Sequence, residues 1–151
     1  MCRLLESECP TEKPGYKWIA RKCYFFDATR KTFEDAADNC ENMFKFGGKL
    51  VEPRSLQLRN SLYEVSKTVT GKSYRYWLGI GFSEARNDFV YISDKKLVTI
   101  DAWCKTSSCL SSPSSYFERT ETGGYGGSWN SNGWFHSVKR TSTLPYICES
   151  L

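Results

Sequence analysis

The stretch Tyr76-Trp77-Leu78-Gly79-Ile80-Gly81-Phe82 limits the possible folds more than any other part of the chain. It is uncharged, apolar and strand-length, and polar segments bound it, which predicts a strand buried on both faces. Glycine weakens a strand interior unless something needs its missing side-chain space. Gly79 and Gly81 therefore mark a close approach by another backbone or by a large side chain. Trp18, Trp103, Trp129 and Trp134, before and after the stretch, are at hand to fill that space.

Cysteine is the second constraint. The 151 residues hold seven Cys and one His, with no Cys-x-x-Cys. Thiols without imidazole partners argue against zinc and for disulfides formed in an oxidising compartment. A chain of this length fits one domain, and a composition of 40% hydrophobic and 25% charged residues is that of a globular one. No apolar run reaches membrane-spanning length, and Met1 to Pro10 lacks the apolar centre of a signal peptide. The expectation is a secreted or extracellular ectodomain, with Met1 as an added start and any membrane tie confined to a removed stalk. The net charge is +4, and its basic pairs (Arg21-Lys22, Arg30-Lys31, Lys95-Lys96, Lys139-Arg140) are scattered among acids. Nucleic-acid binders concentrate such charge on one face, so that class is set aside.

The local patterns order the chain. A Pro14-Gly15 turn precedes two extended runs, Tyr16–Ile19 and Cys23–Phe26, which read as a hairpin. Thr32 caps a helix whose apolar stripe is Phe33, Ala36, Ala37, Cys40, Met43 and Phe44, ending at Gly47-Gly48. Lys49-Leu50-Val51 is extended. Pro53 and Ser55 open a second helix, with Leu58, Leu62, Val65 and Val69 on one stripe and Gly71 as its stop. Phe89–Ile92 is a strand, and Asp94-Lys95-Lys96 turns back toward Leu97-Val98. From Trp103 to Gly133 regular periodicity gives way to Ser, Gly and Asn, the mark of a functional loop region, with Tyr116–Arg119 as a short strand inside it. Leu144–Glu149 is the closing strand, and Pro145 predicts a first-residue or edge position there.

In this order the pieces resemble the C-type lectin-like domain in its long form. The matching residues are Cys9 and Cys23-Tyr24-Phe25, Thr32-Phe33-Glu34-Asp35-Ala36 through Cys40, Gly48-Lys49-Leu50-Val51, Trp77-Leu78-Gly79-Ile80, Trp103, and Tyr146-Ile147-Cys148-Glu149. The resemblance implies an α+β fold of two helices, two small antiparallel β-sheets and a long loop region. It gives an N-terminal extension over 1–8 and a single domain over 9–151. It also implies the disulfides Cys9–Cys23 and Cys40–Cys148.

The chain departs from the family's calcium-dependent sugar site. Such members carry Glu-Pro-Asn or Gln-Pro-Asp in the long loop, Trp-Asn-Asp further on, and another disulfide beneath the loop. Here neither loop triplet occurs, Arg140 stands where one cysteine is expected, and Tyr116 or Phe117 stands near the other. Trp129-Asn130-Ser131 imitates the third triplet without a carboxylate. Between Trp103 and His136 the acids are Glu118 and Glu121, a poor set for an ion that takes six to eight oxygens. No cofactor and no metal site are therefore expected, calcium being possible but unsupported by the motifs. Cys104 and Cys109 are spaced for a local Cys104–Cys109 bridge bracing the loop. Cys2 is left over, either an added residue or a thiol linking two chains into a dimer.

The candidate ligand-binding residues are Tyr116, Glu118, Tyr125, Trp129, Asn130, Asn132, Trp134 and His136, displayed among glycines at 123, 124, 126, 127 and 133. Aromatic faces stack on sugar rings or anchor protein contacts, and Asn offers a donor and an acceptor to hydroxyl pairs. Trp129 and Trp134 also suit a core role, and one of the two is expected to be buried. No nucleophile elbow or Cys–His pair supports an enzyme, so no catalytic residue is assigned. Three functions remain. The first is a recognition domain engaging a protein or glycan on a cell or pathogen surface without the usual calcium site. The second is a lectin with an altered calcium-dependent or direct hydrogen-bonding sugar site, in innate immunity or cell adhesion. The third, ranked last, is a matrix or mineral-associated protein.

Overall fold

The computed structural model describes residues 3–70, 75–83, 85–86, 88–100, 125–129 and 135–151. Strands β1 (Tyr16–Ile19) and β2 (Lys22–Lys31) form the N-terminal hairpin. Its turn is Ala20-Arg21, with φ of 48° and 66°. Two consecutive positive φ values match the twist of the flanking strands. Neither residue is a usual turn former, so composition does not disclose this turn. Gly15 (φ 88°) also turns the chain, but into β1, where its carbonyl accepts the Phe26 N–H at 2.8 Å. Cys9 and Cys23 close the segment with a disulfide.

Helix α1 (Phe33–Glu41) starts at Thr32, whose hydroxyl accepts the Asp35 N–H at 3.3 Å. Phe33, Ala36 and Cys40 form its buried stripe. The helix stops at Asn42 (φ −108°, ψ 12°), well short of Gly47. Its end tightens into a three-residue turn, with the Met43 N–H on the Cys40 carbonyl at 3.2 Å, so Phe44 reaches the core from a turn. Gly47 (φ 88°) then sends the chain into β3 (Gly48–Leu50). Helix α2 (Leu56–Thr70) is capped by the Ser55 hydroxyl, which accepts the Leu58 N–H at 3.1 Å. Leu62 is fully buried, while Leu58, Val65 and Val69 pack beside it in part.

The central stretch is β4 (Trp77–Ser83) and pairs with β5 (Asp88–Tyr91). Beyond β5 the chain reverses through Lys95 (φ 62°), and Val98 N–H returns to the Phe89 carbonyl at 3.1 Å. Strands β6 (Tyr125–Trp129) and β7 (Phe135–Lys139) make a second hairpin, and β8 (Leu144–Ser150) closes the fold. The strand order is β1-β2-β8-β4-β6-β7, with β3 also on β8 and β5 also on β4. Two antiparallel groups thus meet at one parallel pair, Trp77 opposite Tyr146, and become a single mixed sheet.

Alternation along β4 and β8 sorts the core into two layers. Tyr76, Leu78, Ile80 and Ile147 join Tyr24, Phe26, Val51, Leu62, Phe89 and Tyr91 on the α2 side. Trp77, Tyr146 and Cys148 join Leu4, Cys9, Cys23, Phe33, Ala36, Cys40, Phe44, Leu50 and Leu144 on the α1 side. The predicted two-faced burial of the central strand is met. Cys40–Cys148 ties α1 to β8 across 108 residues, a closure worth about 4–5 kcal/mol in the chain-entropy model.

Pro145 corrects an expectation. It is the second residue of β8, which pairs with β2, β3 and β4 and is no edge. The β2–β8 register shifts between Asp27 and Lys31, opposite Pro145, so the missing N–H falls where the ladder is already interrupted.

The glycines of β4 are filled as their chemistry requires, though not by tryptophan among the described atoms. A Cβ on Gly79 would lie 2.6 Å from the Leu50 carbonyl oxygen and 3.1 Å from that of Val51, so backbone occupies that place. A Cβ on Gly81 would lie 2.5 Å from Nη2 of Arg140.

Candidate functional site

The β6–β7 hairpin carries the candidate residues that the structure describes. Its register runs from Tyr125 opposite Lys139 to Trp129 opposite Phe135, with His136 opposite Ser128. The backbone therefore sets Trp129 and His136 at one end of the hairpin, where segment 130–134 begins and ends, and Tyr125 at the other. Tyr116, Glu118, Asn130, Asn132 and Trp134 lie outside the described residues, as do Cys2, Cys104 and Cys109. The expected short strand at Tyr116–Arg119 also falls outside them.

The hairpin docks on the central strand. Ser128 pairs with Trp77 and Gly126 with Gly81, with a register shift between the two pairs. Gly126 also faces Val138 of β7, which packs in part against the α1-side core. Beneath this junction Trp77 is fully buried, donates its indole N–H to the Lys31 carbonyl at 2.8 Å, and meets Phe33 edge-on at 5.3 Å. Arg140, just beyond β7, lies over the other side of this aromatic pair. Its guanidinium carbon is 4.6 Å from the Phe33 ring centroid, and Nη1 donates to Glu34 at 3.1 Å. Its carbonyl accepts the Phe33 N–H at 3.0 Å. Sequence patterns flag Arg140 only as a departure from the resemblance, yet it links β7 to the start of α1. The Gly81 requirement for a large neighbour is the signal that finds it.

A second polar centre, which sequence patterns miss altogether, lies where β3, β4 and β8 converge. The Glu52 side chain is fully buried. Its Oε1 accepts from Arg54 at 2.6 Å, the Ser93 hydroxyl at 2.7 Å and Lys49 at 3.0 Å, and its Oε2 accepts the Ser93 N–H at 2.9 Å. Burial pushes its pKa up, but these donors outweigh burial and the carboxyl sits below its ordinary value. Glu149 accepts the Glu52 N–H at 2.7 Å and pairs with Lys22 at 3.3 Å. There burial dominates, the lysines only partly offset it, and the pKa is raised. Arg54 also stacks on the Tyr91 ring at 4.1 Å and pairs with Asp94 at 3.0 Å. Burial chiefly pushes the Tyr91 phenol up to about 12, so its hydroxyl stays a donor, held by the Pro53 carbonyl at 2.6 Å. An acid following Cys148 in an otherwise apolar strand is the available sequence cue.

Both carboxylates already face the protein's own cations. Among the described residues no group of three or more His, Cys, Asp or Glu is placed to hold a metal ion. Open clefts of about 430 and 330 Å³ flank β1, β2 and α2, and none of the hairpin residues lines them. No helix among the described residues is long and apolar enough to cross a membrane.

Comparison with known proteins agrees with this frame. A perlucin-like protein from Mytilus galloprovincialis is 30% identical over 63% of this chain and 57% of its own length. An alpha-N-acetylgalactosamine-specific lectin from Patiria pectinifera is 26% identical over 64% of this chain and 58% of its own. The chain thus spans just under three fifths of these two relatives. Among solved structures, the carbohydrate-recognition domain of the human scavenger receptor C-type lectin superposes with a TM-score of 0.70, at 20% identity. That match covers 91% of this chain and 96% of that domain, and at such identity it speaks for the fold. The sequence model of the lectin C-type domain matches residues 29–150, and the chain belongs to that family, whose members are generally binding domains and not enzymes.

Proposed function

We propose that this is an extracellular recognition domain that engages a glycan or a protein through its long-loop face, without the calcium site usual in the family. The carrying observation is the docked β6–β7 hairpin. Its register pairs Trp129 with Phe135 across segment 130–134 and sets His136 one residue further along β7, opposite Ser128, with two glycines in β6. Trp129, Trp134, Tyr125 and Tyr116 supply stacking faces. Asn130, Asn132 and Glu118 supply the donors and acceptors that match vicinal hydroxyls. The relative from Patiria pectinifera, a lectin specific for alpha-N-acetylgalactosamine, favours a glycan of that class as the first to try.

The donor set does not fit calcium. A calcium ion takes six to eight oxygens, several of them carboxylate. Glu52 and Glu149 are committed to Lys49, Arg54 and Lys22, and the long loop offers only Glu118 and Glu121. Cys9–Cys23 and Cys40–Cys148 suit an oxidising, extracellular setting. Cys2 is either an added residue or a thiol for an interchain link, which a non-reducing gel distinguishes, and a role in innate defence or cell adhesion goes with the second reading below.

A glycan array run with and without a chelator tests the reading. Binding should survive chelation. Binding that vanishes with chelator and returns with calcium would overturn it in favour of the second reading, a lectin with an altered calcium-dependent site, for which Trp129-Asn130-Ser131 is the motif in hand.

A further inference from the structure

We propose that Arg140 is a positioning residue for the ligand-binding face: a side-chain clamp that fixes the β6–β7 hairpin to α1 and the central strand. The proposal rests on the reading above for what the hairpin presents, but the clamp itself rests on geometry. Three contacts converge on one guanidinium. Its plane lies over Phe33 at 4.6 Å, Nη1 reaches Glu34 at 3.1 Å, and Nη2 fills the space a Cβ on Gly81 would take, 2.5 Å away. Phe33 and Glu34 open α1, and Gly81 is the β4 residue that Gly126 of β6 pairs with. Arg140 therefore leaves β7, crosses the β4–β6 seam and ends on the first turn of α1. Its backbone reinforces the crossing, since the Arg140 carbonyl accepts the Phe33 N–H at 3.0 Å.

The residue types suit this work. A guanidinium is flat, stays charged and stacks on aromatic faces, and lysine does only part of that. Glycine at 81 is what lets the plane come so close. The Arg140 side chain is 24% exposed and Glu34 is 64% exposed. The stack and the filled space at Gly81 therefore hold the clamp more than the ion pair does, which salt and water weaken.

The test is hydrogen–deuterium exchange on the full, disulfide-intact chain, which needs no ligand. In Arg140→Ala, amides of 125–129 and 135–139 should exchange about tenfold faster, through local opening of the hairpin. Amides of β2 and β8 should keep their protection. Arg140→Lys should fall between wild type and alanine, and carries the test if the alanine variant does not fold. Glu34→Gln should change little. Unchanged exchange in the hairpin, or an equal rise in β2 and β8, would overturn the clamp. In a parallel arm on immobilised N-acetylgalactosamine, weaker retention of Arg140→Lys at unchanged melting temperature supports positioning. Retention equal to wild type despite a loosened hairpin overturns it. A wild-type protein that ignores this sugar counts against the proposed ligand alone, and the exchange result still decides the clamp.

Discussion

Gly79→Ala is the substitution whose cost follows most directly from the coordinates. The added methyl would meet the Leu50 carbonyl oxygen at 2.6 Å, Glu52 Cγ at 2.8 Å and the Val51 carbonyl oxygen at 3.1 Å. Two of these atoms are backbone, and the backbone is held. Gly79 N–H donates to the Val51 carbonyl at 2.6 Å, and Val51 N–H donates to the Ile147 carbonyl at 2.9 Å. Relief requires moving the 50–52 segment away from β4, which loosens the Gly79–Val51 bond and disturbs buried Glu52. Overpacking of this kind costs about 1–3 kcal/mol and the lost bond about 1 kcal/mol. Reduced freedom in the unfolded chain returns about 0.4–1 kcal/mol. The net is about 2 kcal/mol, or on the order of 4–8 °C in melting temperature for a domain of this size. Gly81→Ala is the internal control. Its methyl meets the Arg140 Nη2, the far end of a flexible side chain, so its cost should be nearer 1 kcal/mol. Thermal unfolding followed by circular dichroism, with disulfides intact, compares the two. A Gly79→Ala variant within 1 kcal/mol of wild type, or no worse than Gly81→Ala, would refute the account of why β4 needs glycine at 79.

Other outcomes follow from the same contacts. Glu52→Gln should cost about 2–3 kcal/mol at neutral pH, because Lys49 and Arg54 lose a buried partner. The lowered folded pKa means that this stability is present above the unfolded value and lost as pH falls through the folded one, so the gap in urea midpoints should close under acid. Glu149→Gln should behave oppositely. Its folded pKa is raised, so wild type loses stability as pH rises from the unfolded value through the folded one. The variant should gain on wild type across that window, and a gap widening in wild type's favour would contradict the assignment. Replacing Cys40 and Cys148 together by Ala should cost about 4–5 kcal/mol, against about 3 kcal/mol for Cys9 with Cys23, as judged by denaturant midpoints.

How much could be seen in advance depended on whether the cause was local. The Thr32 cap, the stripes of both helices and the two-faced burial of β4 depend on neighbours a few residues apart, and all are present. The need for close company at Gly79 and Gly81 was equally legible, but not the identity of the company. Leu50 is twenty-nine residues from Gly79 and Arg140 fifty-nine from Gly81, and no periodicity spans such distances. The Ala20-Arg21 turn was invisible because β1–β2 pairing imposes it against composition. Pro145 misled because its missing N–H is excused by a shift in the partner strand. The candidate site was legible as a composition, aromatics and amides among glycines. That Trp129 and His136 fall toward one end of a hairpin docked on β4, and Tyr125 at the other, was not.

The buried charges show how these distant parts act as one frame. Two carboxylates at the β3–β8 junction would be ruinous alone, since each must leave water. They persist because cations arrive from separate elements: Lys22 from β2, Lys49 from β3 and Arg54 from the approach to α2. Ser93, beyond β5, adds both its hydroxyl and its N–H. Each partner thereby holds its own element to the junction. A well-packed apolar cluster of equal volume would stabilise as much or more, but it would fix directions less sharply than hydrogen bonds do. Here direction matters, because Glu52 N–H on Glu149 sets the path of residues 50–52. That path presses the Leu50 and Val51 carbonyls onto Gly79, and β4 in turn carries the pairs to Gly126 and Ser128. The orientation of the β6–β7 hairpin is therefore inherited, contact by contact, from acids buried at the β3–β8 junction.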